Sequence, residues 1–316
     1  MSTLLEIEVS SFDNVFIEIY TIGFPQEGES ILSVLKDGDK ILLSFLMDSY
    51  KIGNVVPVLN IAKQIQLEHL DWFFWTHPDE DHSIGIEETL QTLDGTHQTQ
   101  ICLPSGLNKN LSLSQVARSA LDFIMKNYNS GTKYSKAEFI STAEKWGLPS
   151  WSINFKEQIS EREMPCKFTM LAPNSSVVQR LDFSDKPRFN DFSLVLSVSW
   201  NTYTFLYTGD IPNRGIRLLN ENNLRNILYL KIPHHGSSSS NNMVNRILFK
   251  GTGEERAVST INKTNNLPEN DVLQSYKEKI NPNNVIVVGG KEDKAEICCL
   301  KYRLVDSQCQ ERTFYI

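Results

Sequence analysis

Apolar and polar residues alternate from the start of the chain. Leu5, Ile7 and Val9 share one face, and Val15, Ile17 and Ile19 share another after a polar break at Ser11–Asn14. This period of two predicts two strands, read as an antiparallel start over 4–22. A second pair is predicted over 30–35 and 40–47, joined at Asp37-Gly38, with Asp48 closing the later strand. The spacing of Val55, Val58, Leu59, Ala62 and Ile65 predicts a helix within 54–68. The run Leu70–Trp75 then reads as a buried strand, and Ile84–Leu93 as a helix. Strands are expected again at 167–171, 192–199, 203–208, 227–232, 256–261, 284–288, 296–303 and 312–316, with helices at 213–223 and 269–279. Between the two halves, 105–165 is polar and Lys/Ser-rich. Helices are expected there at Val116–Tyr128 and Lys136–Lys145, with breaks at Gly131 and Gly147-Leu148-Pro149. The expectation is one domain over 1–316 with a helical insertion at 105–165, built as two sheets packed face to face with helices outside.

Three of the predicted strands end in residues suited to binding metals. Leu70–Trp75 runs into Thr76-His77-Pro78-Asp79-Glu80-Asp81-His82, 203–208 into Gly209-Asp210, and 227–232 into His234-His235-Gly236-Ser237. Imidazole and carboxylate are metal ligands when deprotonated. A lone HxDxDH run reads as easily as a solvated turn; three such strand ends in one chain point to a two-metal hydrolase. Glu80 is read as solvated. His69 and His97 lie outside the motifs and read as surface or helix-end residues. Trp72, Phe73, Phe74 and Trp75 read as packing rather than a stacking platform.

Length allows a substantial core: 316 residues, 40% hydrophobic and 22% charged, without low-complexity tracts. The net charge of −7 counts against a broad nucleic-acid-wrapping surface, though not against a phosphodiester held by metals and a local basic rim. Lys186, Arg188, Arg214 and Arg217 flank the motif strands and are the candidates for such a rim, the plain alternative being solvated surface charge. No apolar run approaches the ~20 residues of a membrane span, and no secretory leader is visible. The five scattered cysteines lack CxxC spacing and read as reduced thiols, so a cytoplasmic location is expected.

In order, these motifs resemble the metallo-β-lactamase fold, and within it the branch of the ComEC competence protein's hydrolase domain and its free-standing relatives. Gly23–Ile31, Leu46-Met47-Asp48-Ser49, Asn190–Leu196 and Ser259–Pro268 resemble further segments of that branch, so the likeness spans about 13–290 apart from 105–165. The resemblance implies an α/β (α+β) four-layer αββα sandwich with metals at one edge of the sheets. It implies His77, Asp79, Asp81 and His82 as ligands and Asp210 as a bridge between two cations. His235 is favoured to complete the second site, with His234 as the alternative. Asp79 stands where many members have a second His, no His occurs between 98 and 233, and Asn190, or Asp191, stands where the branch has an Asn. Such an oxygen-rich first site favours Mn²⁺ or Mg²⁺ over Zn²⁺ more than three imidazoles would. One-cation operation through Asp81, His82, Asp210 and His235 is the other arrangement.

A cation pair clamps both oxygens of an in-line displacement and lowers the pKa of bound water, so a metal-bound hydroxide would serve as nucleophile. Asp48 is expected to orient a ligand imidazole, and Ser237 and Lys231 to support the His loop or meet substrate. The leading expectation is therefore a metal-dependent phosphodiesterase or nuclease with two divalent ions, acting on nucleic acid or a nucleotide phosphodiester. The alternatives are a hydrolase of a small ester, lactone or thioester, a partner-activated effector regulated through 105–165, and a binding module with a structural metal.

Overall fold

A computed structural model describes residues 4–94, 98–108, 110–128, 136–142, 148–181, 188–291 and 294–316. Two eight-stranded sheets form among these residues. One runs β1 (Leu4–Val9), β8 (Ser150–Glu157), β9 (Glu163–Ala172), β10 (Val195–Trp200), β11 (Tyr203–Tyr207), β12 (Ile227–Lys231), β13 (Arg256–Thr260) and β14 (Val285–Val288). The other runs β16 (Cys309–Tyr315), β15 (Glu296–Arg303), β2 (Val15–Gly23), β3 (Glu29–Asp37), β4 (Lys40–Met47), β5 (Trp72–Phe74), β6 (Gln100–Pro104) and β7 (Ala137–Ile140). In each sheet the last four strands, β11–β14 and β4–β7, pair in parallel. Their C-terminal ends are where the ligand-type motifs fall.

Strand alternation sorts side chains between layers. On β2, Val15, Ile17 and Ile19 enter the core between the sheets, while Tyr20 and Ile22 face outward. That outer face is covered by α1 (Pro57–Gln64), α2 (Ile86–Leu93) and α3 (Gln115–Tyr128), which supply Val58, Ile61, Ile86, Leu90, Leu121 and Ile124. The other sheet is covered through Ile216 of α5 (Asn213–Ile216), Met243 and Val244 of α6 (Asn242–Arg246), and Val272 and Tyr276 of α7 (Asn270–Lys277). The remaining helix, α4 (Ser175–Leu181), follows β9. Three apolar interfaces thus separate four layers, αββα. Phe45 fixes the inter-sheet packing, standing edge-on to Phe74, Phe168 and Tyr207 at 6.2, 5.6 and 5.4 Å. Phe73 and Trp75 pack on the helices and Phe74 between the sheets, as expected of a buried strand.

Several elements differ from the sequence reading. β1 and β2 are not partners: β1 pairs with β8 in one sheet and β2 with β3 and β15 in the other. A 3₁₀ turn at Phe12–Asn14, with Phe12 buried against Trp200, carries the chain across. Lys136–Lys145 is expected as a helix, but Ala137–Ile140 is a strand at the sheet edge. Within 105–165, Ile153 and Phe155 of β8 enter the central core between polar Ser152, Asn154 and Lys156. That stretch therefore carries one described helix, α3, the strands β7 and β8, one in each sheet, and the start of β9. β7 is an edge strand, where polar residues discourage further pairing, whereas β8 lies inside its sheet between β1 and β9 and alternates core-facing with polar residues. The helix expected at 213–223 is a short helix followed by a 3₁₀ turn at Glu221–Leu224. His97, Gly131, Gly147 and Lys186 lie outside the described residues. All five cysteines are free, four of them buried. Among the described residues no helix is long and apolar enough to cross a membrane.

Candidate metal centre

Five parallel strands deliver side chains to one edge of the sandwich. β4 leads into Asp48, β5 into Thr76–His82, β11 into Asp210, β12 into His234-His235, and β13 ends at Thr260. Asp48 ties the first loop together. Its carboxylate accepts from Thr76 N–H at 2.7 Å, from the Thr76 hydroxyl at 2.6 Å, and lies 2.7 Å from His82 Nδ1. Trp75 Nε1 donates to Ser83, whose hydroxyl donates to the Asp79 carbonyl. The β12 loop is held differently: His234, His235 and Gly236 are all left-handed, with φ of 49°, 50° and 80°. A non-glycine residue in that region costs about 1–3 kcal/mol. Here the turn sends the two rings in different directions, His235 into the buried cluster and His234 toward an open cleft.

The hydroxyl neighbours decide the tautomers. Thr76 spends its one proton on Asp48, so it can only accept from His77 Nδ1, 2.9 Å away. Thr260 spends its proton on Glu29 Oε2 at 2.6 Å, so it accepts from His235 Nδ1 at 2.8 Å. His82 Nδ1 donates to Asp48. When neutral, all three imidazoles therefore present the Nε2 lone pair, and all three point inward. His77 Nε2, His82 Nε2, His235 Nε2 and Asp210 Oδ1 are buried without a hydrogen-bond partner. Each such atom left unpaired costs about 1–3 kcal/mol, so four converging ones fit a cation.

The spacing agrees. His77, His82 and Asp210 form one group, and Asp81, His82 and His235 another, with ligand atoms within 4.8 Å of one another. Asp210 Oδ2 lies 4.0 Å from His77 Nε2 and 3.7 Å from His235 Nε2, while Oδ1 lies 3.7 Å from His82 Nε2. Asp81 Oδ2 is 3.4 Å from His235 Nε2, and Asp79 Oδ2 is 3.3 Å from His77 Nε2. Ligands at ~2.1 Å around a tetrahedral ion stand ~3.4 Å apart. Burial opposes charge on these groups, yet their mutual attraction prevails. Burial would raise Asp210, but His235 and His82 hold it well below the ordinary carboxylate range. Burial would lower His82, but Asp81, Asp48 and Asp210 lift it well above the ordinary imidazole value. Such a cluster exchanges protons for a cation.

His77, Asp79, Asp81, His82, Asp210 and His235 thus converge as the sequence suggests. His234 stands at the border, with Nε2 3.8 Å from Asp210 Oδ2 and 3.2 Å from Asn190 Nδ2, and Nδ1 2.8 Å from the Ser239 hydroxyl. Asn190 touches His234 rather than the two buried groups. Asp191 is turned away into an ion pair with Arg214. Ser237 bonds Ser239, which in turn holds His234. Lys231 is fully buried, 2.6 Å from Glu29 Oε2, so it braces the floor of the site. Glu80 is exposed, as is His69 near Asp71.

Sequence reasoning assigned no part in the site to Glu29, Thr76, Thr260, Asn262 and Ser239. Asn262 donates to Asp81 Oδ2 at 3.2 Å. One signal was present: threonines stand at the ends of three parallel strands, at 76, 208 and 260. Beside the group, on the His234 side, lies a cleft of about 570 Å³ whose lining includes Arg188, Phe189, Arg214 and Arg217.

No protein-family model matches the chain, and no curated protein matches it. Among solved structures, the chain is similar to the metallo-beta-lactamase fold protein YhfI from Bacillus subtilis, at 13% identity over 87% of this chain and 98% of that one, with a TM-score of 0.39.

Proposed function

We propose that this protein is a metal-dependent hydrolase of phosphodiester bonds, acting on nucleic acid or a nucleotide phosphodiester. The observation that carries the metal reading is the convergence of four buried, unpartnered donor atoms, on His77, His82, His235 and Asp210. The phosphodiester reading is supported by the arginines in the adjoining cleft. His77, Asp79 and Asp210 would hold one cation, and Asp81, His82, His235 and Asp210 a second. A cation bound there supplies charge neutralisation for a phosphoryl group and a lower pKa for water. The oxygen-rich first group favours Mn²⁺ or Mg²⁺.

The protein's own residues supply the geometry. Asp48, Thr76 and Thr260 fix the ring orientations, and Asn262 steadies Asp81. His234, kept below the ordinary imidazole pKa by burial, with Asp210 opposing and the neighbouring imidazoles adding, stays neutral at pH 7. It lines the cleft beside the cluster, its ring held by Asn190 at Nε2 and Ser239 at Nδ1. The test is hydrolysis of bis(p-nitrophenyl) phosphate and of single- and double-stranded DNA by metal-stripped protein, with Mn²⁺, Mg²⁺ or Zn²⁺ restored, beside Asp81→Ala. Cleavage that needs a cation and vanishes in the variant supports the reading. Turnover of a lactone or thioester but of no phosphodiester would replace it with the small-ester alternative.

A further inference from the structure

The cleft beside the metal centre carries charge out of keeping with the rest of the molecule. The chain as a whole is acidic, at −7. Yet Arg188, Arg214 and Arg217 line this one cavity, and Asp191 is the single carboxylate in its lining. The Asp191 side chain is fully buried and pairs with Arg214, which is half-exposed to the cleft. Burial and the neighbouring Arg188 guanidinium both lower the pKa of Arg214, so two cations crowd one carboxylate. Arg188 and Arg217 are exposed and have no ion-pair partner among the described residues. An arginine stays protonated at any physiological pH, so the described lining of the cavity sets three cations against one carboxylate.

The cavity also has an aromatic wall and a fixed relation to the centre. Phe189 is half-buried and lies 6.4 Å from Phe192. His234 and Asn190 line the same cleft, and His234 Nε2 is 3.8 Å from Asp210 Oδ2. A molecule in the cleft therefore extends directly from the proposed reaction site. About 570 Å³ suits a small-molecule ligand.

We infer that this cleft binds the nucleotide next to the scissile bond of a single-stranded phosphodiester, with Arg188, Arg214 and Arg217 on its phosphates and Phe189 against its base. The inference rests on the phosphodiesterase reading of the adjoining centre. Guanidinium groups match phosphate oxygens in a bidentate way, and bases stack on aromatic rings whatever their sequence. A duplex would have to unstack a base to reach Phe189, at a cost of a few kcal/mol. An uncharged ester would leave the arginines unmatched. Asp191 is a positioning residue that aims Arg214.

The test is binding, measured apart from turnover. A fluorescein-labelled short oligothymidylate is titrated with the full chain in EDTA, across a salt series, by anisotropy. Three phosphate contacts on a single strand give a slope of log K against log salt of about −2. Arg217→Ala is expected to reduce that slope by about 0.7 and to weaken binding roughly tenfold. Phe189→Ala is expected to weaken it between about fivefold and a hundredfold. Thermal melts matching wild type establish that both variants fold. A blunt duplex binding more tightly than the single strand, no binding by wild type, or equal binding by wild type and both variants overturns the inference. Hydrolysis of bis(p-nitrophenyl) phosphate is measured in parallel. Its absence with every cation, alongside arginine-dependent binding, sinks the phosphodiesterase reading and leaves the cleft standing.

Discussion

Lys231→Met tests the brace beneath the candidate metal centre. Lys231 ends β12 in one sheet and Glu29 begins β3 in the other, so their ion pair of 2.6 Å ties the two sheets at the floor of the site. Both side chains are at most 2% exposed. Methionine keeps most of the volume but removes the ammonium, leaving Glu29 with the Thr260 hydroxyl as its remaining strong donor. Breaking a buried pair by deleting one partner costs about 3–5 kcal/mol. With an unfolding entropy of ~2.1 cal/mol/K per residue, 316 residues give ~0.66 kcal/mol/K, and the expected fall in Tm is about 5–8 °C. A second effect follows from proton bookkeeping. An unpaired Glu29 takes up a proton and donates it to Thr260, which frees Thr260 to donate toward His235 Nδ1 and removes the tautomer that presents Nε2. Metal affinity should then drop by about 10- to 100-fold, the range seen when a ligand's supporting partner is lost. The assays are thermal unfolding of the metal-free protein and Mn²⁺ titration by calorimetry. Lys231→Met combined with Glu29→Gln should recover most of the lost stability, because a neutral pair leaves no stranded charge. A single variant within ~1 kcal/mol of wild type, or a double variant whose loss is merely the sum of the singles, would refute the reasoning.

Three further outcomes follow. Thr260→Val removes the acceptor of His235 Nδ1–H and the donor to Glu29, and should lower Mn²⁺ affinity by about 10- to 100-fold in a calorimetric titration while leaving the circular dichroism spectrum native. Metal affinity should rise with pH: Asp81, Asp48 and Asp210 lift His82 above 6.5, so a proton occupies that ligand below its raised pKa and must leave before a cation binds; affinity flat between pH 6 and 8 would contradict this. Gly236→Ala should destabilise the fold, because Gly236 has φ of 80° and an added Cβ would sit 2.7 Å from Pro268 Cβ; the expected loss is about 1–3 kcal/mol in urea unfolding, and a loss under ~0.5 kcal/mol would argue against the strained turn.

The ligand-type residues were legible because the chemistry is concentrated in short runs at predictable strand ends. Thr76–His82, Gly209-Asp210 and His234–Ser237 each follow an apolar stretch, and parallel strands place their C-terminal ends at one sheet edge. The preference for His235 over His234 was expected from the His-Gly-Ser run, but the separation of the two rings depends on consecutive left-handed residues. Sequence spacing carries no information about those angles. The strand at Ala137–Ile140 was obscured because polar residues on an edge strand resemble a solvated helix when only composition is weighed, and β8 because polar residues alternate with its core-facing Ile153 and Phe155.

What the sequence by itself determined is local: the periods of strands and helices, the apolar run of β5, and which residues can bind a cation. What only the tertiary structure decided is pairing over long separations. Glu29 meets Lys231 and Thr260, Asn262 meets Asp81, and β1 joins β8 instead of β2. Arg188, Arg214 and Arg217 become one cleft although the arginine at 188 precedes β10 and the other two follow β11. The physical reason is that a buried ion pair, a tautomer and a cavity depend on the desolvation and distance set by the packing of two sheets. No stretch of chain contains those quantities until the sheets have packed.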